Sequence, residues 1–163
     1  MKALVCQKIN TQYHTEKKMQ IVTSLIRSSS SGSLISLVQG DTRPSLVINL
    51  LSENIHTSRT SSNTIPLNVS TATCVFKIRK VGTTTVIDSV SCVLLPGLEN
   101  DDGTITLTAP YDQVGVGGRI LVPWNTNSLS VSGTLEGEVE ITFVDGTIQT
   151  VYNVVKMVVR PQF

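Results

Sequence analysis

The stretch Gly133-Thr134-Leu135-Glu136-Gly137-Glu138-Val139-Glu140-Ile141-Thr142-Phe143-Val144-Asp145-Gly146-Thr147-Ile148-Gln149-Thr150-Val151 decides the fold. Val139, Ile141 and Phe143 alternate with Glu138, Glu140 and Thr142, the period of a strand with one face buried and one wet. Asp145-Gly146 is the dipeptide favoured in two-residue hairpin turns, so residues 135–144 and 147–159 read as paired antiparallel strands. The same alternation recurs N-terminally. Residues 34–38 form a short strand, stopped by a turn at Gly40-Asp41 before Pro44 opens an extended segment over residues 46–51. In residues 73–79, Cys74, Phe76 and Ile78 face away from Val75. Residues 83–95 read as one β-branched strand ended by Pro96-Gly97, Asp102-Gly103 turns the chain into residues 104–108, and residues 119–124 follow a glycine-rich segment.

Composition agrees with that pattern. The chain has 163 residues, 40% hydrophobic but only 4% aromatic and 15% charged, with 21 Val, 3 Ala and 38 Ser plus Thr. Val and Thr suit a pleated, half-buried surface, and the strongest helix former is nearly missing. A helical bundle is excluded, and a βαβ enzyme fold is disfavoured. Seven or eight strands with regular turns point to an all-β, immunoglobulin-like antiparallel β-sandwich. No apolar run reaches the roughly 18–20 residues that span a bilayer, and the start of the chain lacks a signal-peptide core. No membrane partner is expected.

Charge divides the chain in two. Residues 1–32 carry Lys2, Lys8, Lys17, Lys18 and Arg27 against Glu16, a net +4; residues 33–163 carry a net −3. The break falls at Ser28-Ser29-Ser30-Ser31-Gly32-Ser33, which reads as a flexible joint. The domain reading is thus a basic N-terminal arm, 1–32, ahead of a sandwich, 33–163. Net charge near zero and few aromatics argue against direct nucleic-acid binding.

Catalytic chemistry finds little footing. His14 lies in the arm and His56 in a polar connection, neither at metal-ligand spacing. Gly115-Val116-Gly117-Gly118 lacks a following Lys-Ser/Thr and reads as a close backbone approach rather than a phosphate cradle. Glu99, Asp101 and Asp102 lack the spacing of a calcium loop and read as a turn. Cys6, Cys74 and Cys92 are odd in number, and Cys74 and Cys92 read as small core hydrophobes rather than a disulfide. No cofactor or metal is expected, small-molecule ligands are not anticipated, and the chain does not read as an enzyme. Glu136, Glu138 and Glu140 share one strand face as an acidic stripe open to solvent or a partner. Trp124 belongs to an apolar strand and reads as core; with Tyr111 and Tyr152 it is also the candidate platform for a carbohydrate-binding alternative.

A family resemblance adds to this. Val38-Gln39-Gly40-Asp41-Thr42-Arg43-Pro44-Ser45-Leu46 resembles the opening strand motif of small β-sandwich modules in tailed-phage structural proteins, among them the N-terminal domain of siphophage upper baseplate proteins. Ile65-Pro66-Leu67-Asn68-Val69-Ser70-Thr71-Ala72-Thr73, Val75-Phe76-Lys77-Ile78-Arg79 and the 133–151 hairpin are similar to later segments in the same order, over residues 36–161. Gly40, Asp41, Pro44, Asp145 and Gly146 mark the fold in this comparison. The resemblance implies a non-enzymatic virion subunit, assembled in the host cytoplasm on a tail, baseplate or collar, with other phage structural proteins and copies of itself as partners. A capsid decoration protein is the alternative. The basic arm, ordering on a neighbouring subunit, is expected to meet acidic patches such as the Glu136/Glu138/Glu140 stripe.

Overall fold

The computed structural model describes residues 19–24, 35–53, 64–151 and 154–163. In chain order the strands are β1 (Met19–Ser24), β2 (Ile35–Val38), β3 (Leu46–Glu53), β4 (Thr64–Pro66), β5 (Thr73–Lys80), β6 (Val86–Ser91), β7 (Val93–Leu94), β8 (Leu98–Glu99), β9 (Ile105–Thr106), β10 (Arg119–Val122), β11 (Gly133–Thr142), β12 (Ile148–Thr150) and β13 (Val155–Arg160). Among the described residues there is no helix.

Two sheets carry the fold. The first runs β1-β3-β10-β7, with β4 continuing the edge of β3 that β10 begins; the second runs β2-β13-β11-β5-β6, with β12 sharing an edge of β11 with β13. β8 and β9 make a small separate ribbon in the long excursion between β7 and β10. Every pairing is antiparallel except β2 with β13, which is parallel over Ile35–Val38 and Met157–Arg160. Met19–Ser24 falls within the span read as an arm, yet it pairs along Val47–Ser52 of β3. β1 thus belongs to the first sheet and β2, the next strand, to the second.

The strand read over residues 83–95 is two strands. β6 pairs with β5 in the second sheet, and β7 pairs with β10 in the first. At the crossing, the Cys92 N–H donates to the Cys74 carbonyl at 2.9 Å, so the chain closes one side of the sandwich without losing its ladder. A period-2 pattern records which residues alternate, not which sheet they join.

Alternation supplies the core. Leu46, Ile48 and Leu50 of β3 and Ile120 and Val122 of β10 point inward from one sheet. Cys74, Phe76 and Ile78 of β5, Leu135, Val139 and Ile141 of β11, and Met157 and Val159 of β13 meet them from the other, in one continuous cluster. At its centre the Phe76 ring lies over Gly137: a Cβ there would stand 2.0 Å from Phe76 Cζ. The same ring meets Trp124 edge-on, centroids 5.9 Å apart and planes at 69°. The Trp124 indole N–H donates to the Pro44 carbonyl at 2.8 Å, next to the cis Arg43–Pro44 bond. Trp124 is only 5% exposed, so it is core.

Gly137→Ala should therefore destabilise the domain by about 1–3 kcal/mol, the usual cost of forcing extra carbon into a filled core. Combining it with Phe76→Leu should cost less than the sum of the two single changes, because the smaller side chain vacates the clash. Urea unfolding of the three variants measures both; additive costs would show that the ring does not press on Gly137.

Candidate interaction surfaces

The outward face of the second sheet is a ladder of alternating charge. Glu136 stands in register between Arg79 of β5 and Lys156 of β13, and Glu138 stands opposite Lys77. Arg79 Nε donates to Glu136 Oε1 at 2.7 Å, and Lys77 Nζ reaches diagonally to Glu140 Oε2 at 2.5 Å. Three carboxylates thus lie among three cations on neighbouring strands. Glu136, Glu138 and Glu140 are brought onto one face as the sequence implies, but the structure neutralises that face from within its own sheet. These half-exposed pairs contribute little stability, on the order of 0.2–1 kcal/mol each. A shallow groove of about 170 Å³ crosses the same face, bordered by Thr84, Val86 and Val154 beside the charged rows.

The excursion over residues 95–118 folds back on the outer face of the first sheet. Leu95 N–H donates to the Arg119 carbonyl, Gly97 N–H to the Tyr111 carbonyl and Gly115 N–H to the Leu95 carbonyl. The glycines of 115–118 are what lets this segment press so close. A Cβ on Gly117 would stand 1.9 Å from the Gly97 carbonyl oxygen, and one on Gly118 would stand 2.4 Å from the Leu50 carbonyl oxygen. Under the excursion lies a polar group that the sequence reading passed over. Asn49, opposite Arg119 in the ladder and 6% exposed, donates from Nδ2 to Glu99 Oε2 at 2.8 Å. Arg119 Nη1 donates to the Pro96 carbonyl at 2.8 Å. Asn49 Oδ1 and Arg119 Nε are buried without a hydrogen-bond partner. The polar break that Asn49 makes in the apolar run 46–51 was the signal; nothing local marks Glu99 as its partner. A second network, from Asp88 Oδ2 to Ser128 Oγ at 2.7 Å and Asn125 Nδ2 at 3.1 Å, fixes the loop after Trp124 against β6.

Two turns repeat one design. In Asn100-Asp101-Asp102-Gly103-Thr104 and Phe143-Val144-Asp145-Gly146-Thr147, the glycine N–H donates back three residues and the first residue's N–H donates to the threonine carbonyl. The aspartate Oδ1 accepts from both the N–H and the hydroxyl of the threonine. The hairpin loop is thus three residues, with Gly146 at φ +81°, rather than the two-residue turn read from Asp145-Gly146. Gly40 and Asp41 also form a turn, Asp41 N–H donating to the Val38 carbonyl at 3.2 Å. The threonine hydroxyls, then the threonine N–H groups, hold the Asp102 and Asp145 carboxyls below the usual carboxylate range.

Cys74 and Cys92 are free thiols, and burial pushes them up to about 11 and about 12. Tyr111 is half-buried. Among the described residues, no group of three His, Cys, Asp or Glu side chains is placed to hold a metal ion. Lys2, Lys8, Lys17, Lys18 and Arg27, with Cys6, His14, His56 and Tyr152, lie outside the described residues. The fold and these surfaces define an all-β sandwich domain with one charge-balanced face and one covered by an acidic excursion. No protein-family model matches the chain, and no curated protein sequence matches it.

Two outcomes follow. At pH 8, Cys74 and Cys92 should resist alkylation in the folded protein and react fully once it is unfolded in urea, because the thiolate is the nucleophile. Rapid native labelling, read by mass spectrometry, would contradict the burial of Cys74 and the raised thiol of the half-buried Cys92. The two Asp-Gly-Thr turns have carboxyls depressed by folding, so their contribution is complete above about pH 4 and is lost as pH falls through the depressed values. Asp145→Asn keeps the acceptor but should flatten this part of the acid dependence of the melting temperature.

Proposed function

We propose that this chain is a non-enzymatic structural subunit of a tailed-phage particle, an adaptor of the tail, baseplate or collar that works by binding its neighbours. The observation that carries the reading is the strand order. β1-β3-β10-β7 facing β2-β13-β11-β5-β6, with the first strand region divided between the sheets, fits an immunoglobulin-like sandwich. The segments that resemble the phage modules sit at structural junctions of that order. Residues 38–46 turn from β2 into β3, residues 65–73 lead into β5, and residues 133–151 are β11, its turn and β12. The groove on the second sheet is well below the roughly 300–1,000 Å³ of ordinary ligand pockets, so that face suits protein contact better than a small ligand. With Trp124 in the core, the carbohydrate-binding alternative loses its main stacking platform.

Immunogold labelling of intact particles tests this. Label confined to the tail tip or neck is the expected result. Label over the whole head would replace the adaptor with a capsid decoration protein, and no label on any particle would overturn the structural role. The arm is tested by two deletions. Removing residues 1–18 should leave the sandwich folded while abolishing incorporation into particles. Removing residues 1–32 also strips β1 from Val47–Ser52 of β3 and should lower the melting temperature. Normal incorporation of the shorter deletion would remove the arm from the assembly mechanism.

A further inference from the structure

The sequence puts a basic segment and an acidic stripe in one chain, and the structure moves the acidic seat elsewhere. Glu136, Glu138 and Glu140 are already flanked by Lys77, Arg79 and Lys156. Residues 95–118, by contrast, contain Glu99, Asp101, Asp102 and Asp112 and no lysine or arginine. Glu99 turns inward to Asn49, whereas Asp101, Asp102 and Asp112 are exposed and in no salt bridge among the described residues. Arg119, the residue that follows the excursion, is half-buried and directed to the Pro96 carbonyl. Ile105, Leu107 and Val114 on the same excursion are exposed too, Leu107 to 59%. The surface is therefore both acidic and apolar, and under it Asn49 keeps one buried oxygen without a partner.

Residues 1–18 match that chemistry. They hold Lys2, Lys8, Lys17 and Lys18 against Glu16, with Leu4, Val5 and Ile9 between the charges. The segment is continuous with β1, whose first residue, Met19, stands opposite Ser52 near the end of β3. The excursion is tied to the same end, where Leu50 N–H donates to the Gly118 carbonyl and Val69 N–H to the Gly115 carbonyl. Fully extended, 18 residues reach about 60 Å, enough to cross to an adjoining molecule.

We propose that residues 1–18 of one copy dock on the acidic excursion, residues 95–118, of a neighbouring copy. Such a contact sets a basic donor of one copy on an acidic acceptor of another; exchanged reciprocally it closes a two-fold dimer, and passed on in one direction it builds a ring or a stack. This rests on the reading of the chain as a self-assembling subunit, and it names the surface through which that assembly runs.

The test uses full-length protein in normal and isotopically heavy form, mixed at high salt and returned to low salt. A carbodiimide then joins lysine amines to carboxylates in contact, forming an amide with loss of water. Heavy-to-light peptides linking Lys17 or Lys18 to Asp101, Asp102 or Asp112 are expected. Their yield should fall at least tenfold in Asp101→Asn/Asp112→Asn, which leaves the Asp102 turn intact, with the circular-dichroism spectrum unchanged. Combining Asp101→Lys/Asp112→Lys with Lys17→Glu/Lys18→Glu should restore linkage between the same segments. Links found only within one isotope would mean that the segment folds onto its own copy, overturning the proposal. Links to Glu136, Glu138 or Glu140, or no links from residues 1–18, would overturn it as well. Immunogold labelling decides the virion reading separately, so label on particles without these links would sink the docking surface alone.

Discussion

One aromatic ring pressed on bare backbone sets the terms for the rest of this domain. Phe76 fills the space above Gly137, so the central strand of the second sheet must carry a glycine where its neighbours carry Leu135 and Val139. The glycine costs strand stability on its own, roughly 0.5–1 kcal/mol against alanine, and the ring covering it replaces the missing side chain. The far side of that ring meets Trp124, and the indole in turn holds the Pro44 carbonyl. Three segments distant in sequence are thereby fixed by one piece of packing: the middle of β5, the end of β10 and the approach to β3. With aromatics at 4% of the chain, few other residues have the size to do this.

The alternating halves of the structure were readable because burial has a period. Cys74, Phe76 and Ile78, and Leu135, Val139 and Ile141, face the core as their spacing dictates. Pairing has no period, and the differences arise there. The β6–β7 segment keeps its β-branched character while changing sheets, so its sequence looks like one strand. β1 was hidden inside a basic segment because its partner, β3, lies beyond a serine-rich run that reads as a joint. The Glu136/Glu138/Glu140 stripe was visible, but its cations come from Lys77 and Arg79, 57 to 63 residues away, which no local pattern reports. Asn49 broke an apolar run and was in principle legible; Glu99 became its partner only when the excursion folded over.

Charge is segregated as a result. The second sheet spends its acids and bases on one another, and the excursion keeps an acidic surface from which only Glu99 is seen to reach inward, to Asn49. A protein near net neutrality thus carries one balanced face and one local acidic field.

The single parallel pairing has a mechanical meaning. β2 lies near the start of the sandwich and β13 at its end, and they run side by side in the same direction over four residue pairs. Tension drawing the chain out before β2 and after β13 pulls these strands lengthwise in opposite senses. Their hydrogen bonds then lie across the load and share it together, instead of opening one after another from an end as in a peeled hairpin. Between those two points the β2–β13 pair resists stretching, whereas a pull from ahead of β1 is met first by the β1–β3 pairing.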